Sequence, residues 1–201
     1  MKTIKTILIL LTILTLSNCA SSYKAINPKS INYISKSESK NVKLEYKYNL
    51  LNKKYTKKEL NEKVSIVAIK ITNNSGKDLL FGNNIKLTYE NGNEIYIMEN
   101  DKVFKTIKQN STPNLLYFLL TPLTFTVSAT GSEPKSFPIG YVIGPGLALR
   151  NIIVSETANK KFKNEMLEYN INGTLIKKNE TKYGLIGIIS NSFESIKLKI
   201  E

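Results

Sequence analysis

The chain has no histidine and no tryptophan, and among its 201 residues there is a single cysteine, Cys19, and a single arginine, Arg150. Histidine is the usual acid-base group near neutral pH and a common zinc ligand. Its absence excludes serine-triad hydrolysis, cysteine-protease chemistry and His-ligated zinc catalysis in their usual forms. Carboxylate-only chemistry such as glycoside hydrolysis survives that test, but the tryptophan platforms that hold sugars are absent. One cysteine forms no intrachain disulfide and no multi-thiolate metal site. With 28 of the 29 basic residues being lysine, the bidentate fork that reads bases and phosphates is nearly missing, and no nucleic-acid partner is expected. The net charge of +13 gives diffuse attraction to anionic surfaces. Lysine, asparagine and isoleucine are abundant together, as an A- and T-rich coding sequence produces.

What is present begins with Lys2 and Lys5, followed by the apolar run Thr6 to Leu16. A positive start, a short apolar run and a small-residue exit describe a secretory signal peptide. The run is well short of the roughly 20 apolar residues that span a bilayer. Leu16-Ser17-Asn18-Cys19 resembles the lipobox of bacterial lipoproteins. That resemblance implies that residues 1–18 are removed, that Cys19 becomes an acylated N-terminus carrying three chains, and that the membrane is a partner through this anchor. It also implies a place in the bacterial envelope. Ala20 and Ser21 carry no retention aspartate, so the expected home is the outer membrane, facing the periplasm. Residues 19–40 are polar and rich in serine and lysine, which reads as a flexible tether.

From residue 41 onward, period-two patterns dominate. Val42, Leu44, Tyr46, Tyr48 and Leu50 alternate with polar residues, as in a strand with one buried face. Asn52 to Lys63 reads as a basic connection. Val64–Thr72 is uniformly apolar and β-branched, as for a central strand. Asn73-Asn74-Ser75-Gly76 is a turn cluster, and Asn91-Gly92 signals a hairpin. Tyr183–Ser190 and the alternating Ile196, Leu198 and Ile200 close the chain. The strand ending I-T-N-N-S-G, the later Y-N-G-N-E, and Y-G-L-I-G-I-I-S before a terminal strand resemble a group of immunoglobulin-like envelope lipoproteins. The fold class expected is mainly β: an immunoglobulin-like β-sandwich over 41–201, with an apolar, partly helical insertion at about 105–168.

The insertion carries the candidate apolar binding surface: Leu115, Leu116, Tyr117, Phe118, Leu119, Leu120, Phe125, Phe137, Tyr141, Val142, Ile143, Leu147 and Leu149. These residues fit a buried hairpin, a partner groove or ligand pocket, or contact with a membrane surface. Gly140, Gly144 and Gly146 suit turns that let apolar segments pack closely, and Ser155–Tyr169 has the spacing of an amphipathic helix. Glu90 and Glu94 flank a turn, and Glu99 and Asp101 lack the spacing of a calcium loop. No catalytic, cofactor or metal residue is assigned. The function expected is a non-enzymatic envelope lipoprotein that binds or scaffolds a protein partner; the alternative is a carrier of a lipid or small apolar ligand.

Overall fold

The structure, a computed structural model, describes residues 19–190 and 192–201. The signal-peptide reading of residues 1–18 lies outside them. Among the described residues are eleven strands, β1 to β11 in chain order, and three α-helices: α1 (Lys53–Glu62), α2 (Asn100–Ile107) and α3 (Gly140–Glu168). The chain divides into two compact units. Of the described residues, a sheet unit comprises 23–108, 159–190 and 192–201; an apolar unit comprises 109–158 together with 19–22.

The sheet unit is built on β3 (Val64–Asn73), whose ten residues are apolar and β-branched enough to be covered on both faces. It pairs antiparallel with β2 (Val42–Lys47) on one side and β10 (Glu180–Ile189) on the other. β1 (Ser35–Ser39) and β6 (Ile97–Met98) complete the order β1-β2-β3-β10-β6. Val42, Leu44 and Tyr46 of β2 are buried, as the alternation requires. One face of this sheet shares a core with the antiparallel pair β5 (Ile85–Tyr89) and β11 (Ile196–Ile200), and with β4 (Leu79–Leu80) and β9 (Leu175–Ile176). Val67, Ile69 and Ile71 point into it.

The alternate residues of β3 and β10 meet helices. Gly187 on β10 lies against α2, where an added Cβ would come 2.3 Å from the Val103 side chain. Tyr23, Tyr55 of α1 and Phe162 of α3 stack with centroid separations of 5.2 to 5.6 Å. Asn73, fully buried at the end of β3, ties the turn cluster together. Its Nδ2 donates to the carbonyls of Lys77, Ile176 and Lys177, and its Oδ1 accepts from the Ser75 amide and hydroxyl.

Three expectations change. The chain is mixed in helix and antiparallel sheet, not mainly β. Lys53–Glu62, expected as a connection, is α1; it buries only Tyr55 and ends at Lys63 in the left-handed region, whose amide caps the Glu59 carbonyl. Residues 23–40 are not a free tether. Tyr23 and Ile26 are buried, and β1 forms an edge strand paired residue by residue with β2. Serine and lysine suit such an edge, because charge there discourages pairing with other chains.

In the apolar unit, a 3-10 helix (Thr112–Leu120) leads to the hairpin β7 (Phe125–Val127) and β8 (Lys135–Phe137), then to α3. The glycines expected in turns lie inside this helix. Pro145 does too, and helix continuity past it shows that local packing overrides the breaker signal.

Candidate functional site

An apolar surface and the single cysteine occupy the same unit. An added Cβ at Gly140 would sit 2.2 Å from the Leu120 carbonyl oxygen, and one at Gly144 would sit 2.9 Å from that of Tyr117. The small residues therefore let α3 lie directly on the backbone of the 3-10 helix. Ala148, Asn151 and Ser155 continue the same buried stripe at spacings of three and four.

The segment after the cysteine is held in this unit. Cys19 Sγ lies 3.5 Å from the Tyr117 hydroxyl. The Ala20 amide donates to Asn151 Oδ1 at 2.7 Å. Ser21 and Gln109 exchange backbone-to-amide bonds: the Ser21 amide donates to Oε1 at 3.0 Å, and Nε2 donates to the Ser21 carbonyl at 2.7 Å. Burial, with the Cys19 thiol beside it, pushes the Tyr117 hydroxyl up to about 12. The start of the tether expected over 19–40 is instead fixed by hydrogen bonds at Ala20 and Ser21.

Of the sequence-predicted surface residues, Leu115, Leu116, Phe118, Leu119, Phe125, Phe137, Tyr141, Val142, Ile143 and Leu149 are exposed. Leu119 reaches 64%, Tyr141 68% and Val142 77%. Leu120 and Leu147 are half-buried. Tyr117 is the exception, at 3%, because it lies under α3 and faces Cys19. A buried hairpin is therefore not how these residues are used: β7 and β8 are exposed throughout. Phe125 pairs directly with Phe137, so both rings share one face, with the Thr126–Ser136 hydroxyl pair on the other.

The structure adds Leu123, Val127, Ile139 and Ile153 to the exposed apolar set. Tyr141, Leu149 and Ile153 recur at multiples of four along α3, a signal readable only once the helix is known to be continuous. Beneath this surface the buried residues are small or polar: Ser21, Gln109, Asn114, Gly140, Gly144, Ala148, Asn151, Ser155 and Ala158. Among the described residues of the unit, Tyr117 is the only large apolar side chain that is buried. The distribution is inverted relative to a water-soluble core.

The carboxylates flagged in the sequence do not converge. Glu90 lies 3.7 Å from Lys197, Glu94 3.9 Å from Lys86 and Asp101 3.7 Å from Lys163. Glu99 precedes α2 and lines a recess with Asn100, Asn170 and Asn172. Among the described residues no group of three or more His, Cys, Asp or Glu side chains gathers as a metal site. The carboxylate with the most perturbed environment carries no distinguishing pattern in the sequence. Glu59 of α1 accepts from the Ile66 amide at 2.8 Å, in a recess shared with Thr56, Lys63 and Ser65. Burial pushes its carboxyl up to about 7, against the opposing effect of that amide. In the sequence it is one of two glutamates among five lysines, indistinguishable from an ordinary solvated one. Compared with known proteins, the chain matches no family model, no curated protein and no solved structure.

Proposed function

We propose that the protein is a non-enzymatic lipoprotein of the bacterial envelope, anchored through acylated Cys19, whose apolar unit is its binding face. The observation that carries this reading is the exposed apolar surface in the unit that also holds Cys19. Contiguous apolar exposure on this scale marks an interaction site. The lipobox resemblance of Leu16 to Cys19 supports the anchor, and the chain's lack of histidine supports a non-catalytic role. In this reading the sheet unit is an immunoglobulin-like sandwich that the anchor presents to the envelope. Two features support that finer fold: the Y-G-L-I-G-I-I-S strand runs beside the central strand, and the β5–β11 pair shares its core. The carrier alternative is less favoured, since ten of the thirteen candidate residues are exposed.

Two measurements test it. Mass spectrometry of the N-terminal peptide from bacterial membranes should find Cys19 as an acylated N-terminus; an intact, unmodified chain would sink the anchor. Carbene footprinting in those membranes should find Val142 and Leu119 shielded. Labelling there as heavy as at exposed Lys36 would sink the binding face.

A further inference from the structure

The apolar face has an occupant that its own chemistry identifies. Residues 109–158 contain only four charged side chains: Glu133, Lys135, Arg150 and Glu156. From Thr112 to Ser132, and again from Ser136 to Leu149, there is none. A surface that docks a protein keeps a polar rim around its apolar centre, and this unit offers almost no charge to make one. Its interior is also the wrong way round for water. Glycine, alanine, serine and asparagine are buried, where Gly140 and Gly144 allow backbone contact, while most leucine, valine, isoleucine and aromatic side chains, Tyr117 excepted, face out. Small and polar residues inside, with apolar residues outside, are what helices adopt when the surrounding solvent is lipid.

We propose that the apolar unit is seated in the membrane leaflet that receives the Cys19 acyl chains, with Leu119, Val142, Leu149 and Ile153 in contact with hydrocarbon. The inference rests on the anchored-lipoprotein reading above and names what covers its binding face. The fixed N-terminal segment makes the two compatible. Acyl chains on Cys19 start at the surface of this unit, because Ala20 and Ser21 are hydrogen-bonded to Asn151 and Gln109 within it.

The seat is a shallow one. No helix among the described residues is long and apolar enough to cross a membrane, and the backbone edges of the β7–β8 hairpin need a hydrogen-bonding medium. An interfacial depth of about 5–10 Å fits both. Glu133 and Lys135 near the hairpin tip would reach the headgroups, and exposed Arg150 has a stem long enough to carry its charge to them.

The chain itself makes the test clean, because its only cysteine is consumed by acylation and an introduced cysteine is then unique. The full chain, expressed with its own signal and purified in detergent, is reconstituted into vesicles of phosphatidylethanolamine and phosphatidylglycerol. Nitroxide labels are placed at Leu119→Cys, Val142→Cys and, in the sheet unit, Lys36→Cys. The labels at 119 and 142 should collide with membrane-dissolved oxygen more than with an aqueous nickel chelate, and the label at 36 should show the reverse. Aqueous behaviour at both 119 and 142 overturns the seat. So does shielding at those positions in native membranes but not in the vesicles, since that assigns the face to a protein partner. Failure of the anchor reads out separately: the unsubstituted chain would then take up one label where an acylated one takes none.

Discussion

Glu59→Gln isolates the effect of a half-buried acid on stability. The carboxyl is pushed from an ordinary 4.5 to about 7 by burial, while the Ile66 amide donating to Oε1 opposes the shift. A raised carboxyl value means that the folded state holds a proton that the unfolded chain has released. Between pH 4.5 and 7 the folded protein therefore binds more protons, and its stability falls as pH rises across that window. Below 4.5 both states are protonated and the group contributes nothing. Above 7 the folded state carries the full cost of an ionised, desolvated carboxylate. At 1.36 kcal/mol per pH unit, a gap of about 2.5 units corresponds to about 3 kcal/mol. Glutamine keeps an acceptor for the Ile66 amide and never ionises. The substituted protein should match the original near pH 4.5 and melt higher at pH 8, by about 2–4 °C per kcal/mol and so by up to about 12 °C. Thermal unfolding followed by circular dichroism at half-unit pH steps measures the gap directly. Parallel melting curves from pH 5 to 8, or a less stable variant at pH 8, would refute the reasoning. Other shifted groups, such as Glu165, are common to both proteins and cancel in the difference.

The remaining expectations concern packing and the buried polar node. Gly187→Ala pushes a methyl into Val103 on α2 and should cost about 1–3 kcal/mol; adding Val103→Ala should recover part of the loss in urea unfolding, and no recovery would mean that the strain lies elsewhere. Phe162→Ala empties the centre of the Tyr23–Tyr55 stack and should cost about 3–5 kcal/mol; a smaller effect would show that the rings collapse to fill the space. Asn73→Ala leaves the carbonyls of Lys77, Ile176 and Lys177 without their donor, at a cost of about 1–3 kcal/mol, and amide hydrogen exchange around residues 73–78 should quicken; unchanged exchange there would contradict the role assigned to it.

The parts legible in the sequence are those where one physical pattern acts alone. Val42, Leu44 and Tyr46 alternate against polar neighbours, so β2 could be read directly, and the continuous apolar run of Val64 to Thr72 identified a strand covered on both faces. Where two signals compete, the reading failed. Helix α1 buries only Tyr55 beneath a lysine-rich exterior, so its sequence shows no apolar stripe from which a helix could be read. In α3, glycine and proline argued for turns, yet the Cβ-free positions are what permit its close approach to the 3-10 helix. The candidate surface was recognised as apolar, but whether it faced in or out was not decidable from composition, since a protein core and a lipid tail are equally hydrocarbon. Burial of Asn151, Ser155 and Gln109 supplies the direction, and none of those three stood out in the sequence.

The bonds joining Ala20 to Asn151 and Ser21 to Gln109 set the range of movement open to an acylated protein. A loose linker of about 20 residues would let its domain wander roughly 25 Å from the attachment point. With the chain clamped at Ala20 and Ser21, the two residues next to the proposed anchor, that radius would shrink to the dimensions of the unit itself. On the proposed anchoring, the unit would be a foot planted at constant height, free to slide and to turn about the bilayer normal but unable to lift away. Any neighbour would then have to present itself at that same height, which would confine encounters to two dimensions.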